Sequence, residues 1–174
     1  MNKIKYVIGD ATNPINNNKN IILPHCVNSI GAWGSGFVLS LNKKSLLPQA
    51  AYKQWFKDKH TSKNPHIKGA AYKFNVFKLG NTQLVKIQNG LWVANMIAQE
   101  GIIGRNNPKP VKYRQLMRAM EKVLKYSKDL DAEIHAPRFC SALAGGNWLL
   151  IEELIYEIWI NNNINVTIYD LPKK

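Results

Sequence analysis

The chain has 174 residues, 45% of them apolar, and a formal net charge of +13. That length and apolar share suit one domain with a buried core, and no apolar run approaches the ~20 residues that span a bilayer. The two cysteines, Cys26 and Cys140, are too few for a disulfide framework or a four-thiolate zinc site, so a reducing, cytosol-like compartment is the simplest reading.

Along the chain, Met1 to Lys5 leads into a strand rather than a signal-peptide core. Alternation over Ile4 to Ile8 predicts that strand, ending at Gly9-Asp10. Asn16-Asn17-Asn18 reads as a turn. Asn20 to His25 is a continuous apolar strand of the kind buried on both faces. Gly36 to about Lys43 predicts a helix. Pro48 suits the first turn of a second helix, with Ala51, Tyr52, Trp55 and Phe56 as its apolar stripe. Ala70 to Leu79 and Gln83 to Gln88 read as strands around the turn Gly80-Asn81, and Leu91 to Ala98 as another buried strand. Tyr113, Leu116, Met117, Met120, Val123 and Leu124 follow helical spacing. Glu133 to Ala136 is a short strand. Asn147 can cap a helix with the stripe Leu150, Ile151, Leu154, Ile155, Ile158 and Trp159. Asn161-Asn162-Asn163 is a turn, and Asn165 to Tyr169 closes the chain as a strand. Strands and helices alternate through most of the sequence, with no linker and no repeat. The fold class is therefore α/β, with helices on both faces of a mixed sheet.

The densest information lies between His25 and Phe37. A strand runs into Asn28-Ser29-Ile30-Gly31-Ala32-Trp33-Gly34-Ser35-Gly36-Phe37, and a helix runs out. Glycines let a backbone approach a ligand closely, and the free N–H groups of the helix start attract an anion. Arg138 to Gly146 is a second strand–turn–helix junction with paired glycines. In open α/β sheets ligands bind beyond the carboxyl ends of the strands. Two such junctions make one crevice with two sets of backbone donors, which fits a diphosphate better than a single phosphate. Gly9-Asp10-Ala11-Thr12 and Gln99 to Arg105 are the other loops on that side.

The positive charge favours anionic partners. Lysines are dense from Lys43 to Lys78, interleaved with Tyr52, Trp55, Phe56, Tyr72, Phe74 and Phe77. Two readings stand: a nucleic-acid surface, or a solvated lysine face over core aromatics. No metal-ligand cluster appears and no cofactor is implied. His60 and His66, within the lysine-rich stretch, suggest nothing specific.

Taken together, these motifs resemble the macrodomain family, the ADP-ribose-binding fold. The likeness rests on Gly9-Asp10-Ala11-Thr12, His25-x-x-Asn28, Gly31, Trp33-Gly34-x-Gly36, Val93 to Gln99, Pro137-Arg138, Leu143-Ala144-Gly145-Gly146-x-Trp148 and Val166 to Leu171. Nearly the whole chain is covered, in the family's order. The branch that it resembles is that of the ADP-ribose-1″-phosphate phosphatases and the phage and bacterial Appr-1″-p processing proteins. The resemblance implies one macrodomain over residues 1–174, a three-layer α/β/α sandwich with a mixed central sheet. It implies a ligand that is ADP-ribose or a phosphorylated or cyclic derivative, and hydrolysis of the 1″-phosphate.

Residue by residue, Asp10 would accept from the adenine amino group, with the Ala11 amide beside it, or would cap the next turn. Asn28 would touch the distal ribose or orient a water, or form an Asx turn. Gly34, Ser35, Gly36 and Phe37 would give N–H groups to the phosphates. Ser141, Ala142, Leu143, Ala144 and Gly145 would cover the diphosphate from the other side. Leu171 and Tyr169 would border the adenine, Tyr169 being equally a core residue. His25 would relay a proton or would be a buried strand-end histidine; His135 reads as structural. The resemblance departs at Cys140-Ser141-Ala142, where the family carries Gly-x-Gly; positive φ at either position would cost on the order of 1 kcal/mol. Cys140 reads as a small buried thiol rather than a nucleophile. Gln99 and Ala144 occupy the positions of the lysine and aspartate of the family's glutamate-specific hydrolases. Neither supports a Schiff base or general-base step. Binding without turnover, nucleic-acid association and ADP-ribosyl hydrolysis are the alternatives.

Overall fold

The computed structural model describes residues 3–15, 18–60 and 76–172. Six strands form one sheet: β1 (Lys5–Ile8), β2 (Asn20–Asn28), β3 (Thr82–Gln88), β4 (Leu91–Gln99), β5 (Ala132–Pro137) and β6 (Val166–Asp170). Four helices accompany them: α1 (Phe37–Lys44), α2 (Leu47–Lys57), α3 (Tyr113–Leu130) and α4 (Trp148–Ile158). The sheet order is β1-β6-β5-β2-β4-β3. Only the β3–β4 pairing is antiparallel among these ladders. This is the expected mixed α/β sandwich.

Strand period 2 sorts the central strands into two faces. Ile22, Ala94, Met96 and Ala98 pack with Leu116, Met120, Ile151 and Ile155 of α3 and α4. Ile21, Leu23 and Val93 pack with Leu41 of α1, and Val27 and Ile97 with Tyr52 and Trp55 of α2. Both faces are covered, which is why β2 and β4 read as unbroken apolar runs. Trp159, 0% exposed, ties the α3–α4 layer together by donating from Nε1 to the Met120 carbonyl at 2.9 Å.

Most element expectations hold within a few residues. Asn147 caps α4 as expected, its side chain accepting from the Leu149 N–H at 3.0 Å. Leu150 is a correction: it is 44% exposed, one position off the buried line of Ile151, Ile155 and Ile158. The strand expected over 70–79 is not formed at 76–79, where 77–79 are bend and turn. Its remainder, with Tyr72, Phe74, His66 and the asparagines at 16 and 17, lies outside the described residues. The aromatics of the lysine-rich stretch that are described belong to the core: Tyr52, Trp55 and Phe77 are at most 8% exposed. That favours the solvated-lysine reading. Among the described residues no helix is long and apolar enough to cross a membrane.

Candidate functional site

The chain winds from β2 to one edge through β3 and β4, then returns to the other side through β5 and β6. β2 and β5 are therefore neighbours at the point where the winding reverses, the usual place for a ligand crevice. Their ladder pairs Asn20–Ile22 with Ala132–Ile134. Pro24 follows two residues later, with no N–H to continue a ladder. Past that point a cleft opens between the two strand ends, lined by Gly36, Phe37 and Val38 on one side and by 137–144 on the other.

The first wall is organised by Asn28. Its Oδ1 accepts from Ile30 N (3.1 Å), Ala32 N (3.0 Å) and the Tyr52 hydroxyl (2.9 Å), while Nδ2 donates to Ala32 O at 2.7 Å. The amide oxygen is fully used, and one amide hydrogen remains. Asn28 thus shapes the loop, as the Asx-turn reading has it. Tyr52 shares that one hydroxyl hydrogen with the nearer Asn28 carbonyl, at 2.6 Å. Its hydroxyl, raised in pKa by burial, is a loop support that an apolar helix stripe did not reveal. Tyr52→Phe is expected to cost about 1–2 kcal/mol in urea unfolding, since it leaves a buried carbonyl short of a donor. An unchanged midpoint would refute that role.

His25 borders the cleft but is 2% exposed, with its ring against Trp33 and Phe37 at centroid distances of 5.4 and 5.6 Å. Asn95 Nδ2 donates to the Pro48 carbonyl and to Gln83 Oε1, both at 3.1 Å. A carbonyl only accepts, so Asn95 Oδ1 faces His25 Nε2, 2.6 Å away, and Nε2 carries the hydrogen. Burial lowers the His25 pKa to about 4, against the weaker opposing effect of the Asn95 bond. A ring shut from solvent and hydrogen-bonded to Asn95 matches the strand-end reading of His25 better than the proton relay.

Gly36 starts α1 at φ +73°, a conformation unfavourable for other residues, and the Leu143 side chain comes to 3.2 Å of where a Cβ would stand. The two walls meet there. Phe37 and Val38 are the first residues of α1, where N–H groups have no intrahelical acceptor. Gly34 and Ser35 precede it, exposed, outside the lining of the cleft.

The second wall is a run of tight turns. Phe139 N donates to Pro137 O (2.7 Å), Gly145 N to Ala142 O (3.0 Å) and Gly146 N to Cys140 O (3.0 Å). Among the described residues, the N–H groups of Ser141, Ala142, Leu143 and Ala144 donate to no backbone carbonyl, and these four residues line the cleft. Gly145 braces the turn from behind. Of the two positions where glycine was lost, only Cys140 has positive φ, at +57°; the strain foreseen falls there and spares Ala142. The thiol reading of Cys140 is corrected: Cys140 and Cys26 form a disulfide, with Cα atoms 5.6 Å apart. Gln99 and Ala144 come together in the cleft wall, bridged by Val111, whose N–H donates to Ala144 O at 3.1 Å.

The third region lies toward β1. Gly9 N donates to Asp170 O at 2.8 Å, joining the loop after β1 to the end of β6. Asp10 Oδ1 accepts from Thr12 N (2.9 Å) and Thr12 Oγ1 (2.8 Å), so Asp10 does cap its turn. Ala11 is buried and Leu171 is 74% exposed. Asp10, Ala11 and Leu171 stand outside the lining of the central cavity. β1 lies two strands from β5 and three from β2, roughly 10–14 Å, a separation suited to an elongated nucleotide rather than a compact anion. Tyr169 is core: its hydroxyl accepts from Ile15 N (2.9 Å) and hydrogen-bonds His135 Nδ1 at 2.8 Å. His135 is structural, its pKa lowered by burial.

Arg138 links the regions. It lines the cleft, donates through Nε and Nη2 to the Asp170 carboxylate at 2.6 and 2.9 Å, and lies 5.2 and 5.1 Å from the ring centroids of Tyr6 and Trp148. The hydrogen bond from Arg138 holds the Asp170 carboxyl below its usual pKa. Tyr6 hydrogen-bonds Glu152, and burial together with that contact raises its phenol to about 12. Sequence reasoning missed this clamp, as well as Asn95 and the disulfide. A polar residue inside the apolar run Val93 to Ala98 was the available signal for Asn95; the clamp draws together residues from Tyr6 to Asp170 and had none.

No family model matches the chain. Among solved structures, a Bacteroides thetaiotaomicron protein is 38% identical, with a TM-score of 0.85 over 98% of this chain and 99% of its own. A macrodomain protein from Streptomyces coelicolor is 36% identical, with a TM-score of 0.79 over 97% and 99%. Thermosipho africanus DarTG, solved in complex with ADP-ribose, shares the fold at 14% identity and a TM-score of 0.64, covering 91% of this chain and 40% of that one. Among curated proteins, the zebrafish (Danio rerio) chromodomain-helicase-DNA-binding protein 1-like is 27% identical over 95% of this chain. The chain spans about 15% of that relative's length.

Proposed function

This chain belongs to the macrodomain family, and on that premise we propose that it binds ADP-ribose or a close derivative, with the diphosphate in the β2–β5 cleft. One observation carries the reading: among the described residues, backbone N–H groups on both walls of the cleft, at 141–144 and at the first residues of α1, donate to no backbone carbonyl. Opposed donors match the two phosphates of a diphosphate. Asp10 keeps its second carboxylate oxygen for the adenine amino group at the β1 end, since Thr12 occupies only Oδ1. The ADP-ribose complex of Thermosipho africanus DarTG, a fold relative, supports the same ligand class.

Binding without turnover is the better supported of the two activities foreseen. Removal of a 1″-phosphate needs a proton donor or an oriented water. His25 is neutral and sealed, the Asn28 amide oxygen is saturated, and Gln99 and Ala144 carry no titratable group. A phosphatase built here would rely on backbone donors alone. The test is calorimetry with ADP-ribose and ADP-ribose-1″-phosphate, alongside an assay of phosphate release. Saturable binding of both is expected, with release no faster than in buffer. Asp10→Asn retains an acceptor for Thr12 but replaces the anion; it is expected to weaken ADP-ribose binding about tenfold, as loss of a charged hydrogen bond does. Absence of binding by the wild type ends this reading, and phosphate release abolished by Asn28→Ala restores the phosphatase.

A further inference from the structure

Cys26 and Cys140 are separated by 114 positions in the chain and joined by a disulfide. Cys26 lies in β2, on the side of the first wall; Cys140 lies in the middle of the second. Both line the cleft. The β2–β5 ladder pairs residues only as far as Ile22 and Ile134, so the disulfide rejoins the two strands' continuations where the ladder has ended. It reaches the second wall at a sensitive point. Cys140 has φ +57° without being glycine, and its carbonyl receives the Gly146 N–H that closes the turn. A Cβ on Gly146 would stand 2.3 Å from that same carbonyl oxygen, so only glycine closes the turn onto Cys140 in this geometry. Cys140, in the left-handed conformation, is thus the residue from which the run 141–144 departs.

We propose that the Cys26–Cys140 disulfide is a redox control on the cleft. Oxidised, it pins the second wall in the conformation that presents its donors to a diphosphate. Reduced, it releases Cys140 from the left-handed conformation, and the wall relaxes away. The chemistry is thiol–disulfide exchange with a dithiol reductant. One thiolate of the reductant attacks a cystine sulfur, the S–S bond breaks, and the displaced cysteine thiolate takes up a proton. The reductant's second thiol then resolves the mixed disulfide and freely releases the other cysteine as a thiol. Two electrons and two protons pass from the dithiol to the protein, leaving the reductant as a cyclic disulfide. The cleft gives the reductant its access.

This inference rests on the ADP-ribose reading above, and the experiment separates the two. The protein is oxidised with glutathione disulfide, and thiols are counted by iodoacetamide alkylation and intact mass. ADP-ribose affinity is then measured by calorimetry before and after dithiothreitol, together with hydrogen exchange of the amides at 138–146. No alkylation is expected before reduction and two adducts after it. Reduction is expected to raise Kd about tenfold and to speed exchange across the loop, both reversing on reoxidation. Cys26→Ser should bind like the reduced protein and not respond to dithiothreitol. Cys140→Gly, which suits the left-handed conformation without the bond, should lie between the two. Two alkylatable thiols in the oxidised sample, or equal affinity and equal exchange in both states, overturn the redox control and leave the ligand reading standing. Failure of both states to bind ADP-ribose overturns the ligand reading and this control of it together.

Discussion

Acidification from pH 7 to about pH 4 is expected to lower the unfolding free energy by about 3 kcal/mol through His25 alone. The buried ring has its pKa lowered from 6.5 to about 4 in the folded protein. Between those values the unfolded chain binds a proton that the folded one refuses, so stability falls as pH falls through this window. Above pH 6.5 the contribution is complete; below pH 4 it is gone. His135, shifted in the same direction by burial, adds to the loss. The carboxyl of Asp170, held below its usual value, gives way only under more acid conditions and leaves the window to histidine. Urea unfolding at half-unit steps from pH 7 to pH 4 measures the slope. His25→Gln keeps an amide donor for Asn95 and removes the titration, so its slope should be markedly flatter. An identical slope in variant and wild type would show that His25 titrates normally and reopen its role as an acid.

Gly145→Ala is expected to cost about 2 kcal/mol of stability and at least a tenfold loss of ADP-ribose affinity. Gly145 has φ +69°, and an added Cβ would meet the Pro108 carbonyl oxygen at 2.7 Å and Lys109 Cα at 3.1 Å. Both are backbone atoms and cannot rotate away as a side chain tip can. Relief has to come from the turn itself, where Gly145 N closes onto Ala142 O, and that turn carries the free donors of the second wall. Gly104→Ala is the control: it has nothing within 4 Å of its added Cβ and no positive φ. It should leave both unfolding and calorimetry unchanged. If Gly145→Ala binds ADP-ribose as the wild type does, the second wall does not hold the ligand.

The sheet and its two helical layers were legible in the residues because strand and helix periods are local properties of the chain. The apolar runs of β2 and β4 announced burial on both faces, Asn147 announced the start of α4, and the two glycine-bearing junctions announced the crevice. Each of these signals lies within about ten residues, the range over which backbone geometry and side-chain spacing dictate structure. Leu150 marks the limit even there, since periodicity defines a stripe but its width depends on what packs against it.

The roles of the site residues were not local in this sense. His25 could be a proton relay or a structural ring until Asn95, Trp33 and Phe37 were in place around it. Burial, which no residue possesses in isolation, then held it neutral. Asn28 could serve a ligand or its own loop until Tyr52, twenty-four positions away, closed on its oxygen. Cys26 and Cys140 looked like thiols because their count forbids a framework, yet the meeting of β2 and the loop after β5 at the reversal of the sheet brought them into bonding range. Chemistry at this cleft depends on desolvation and on partners distant in the chain, and both come into being only when the layers close.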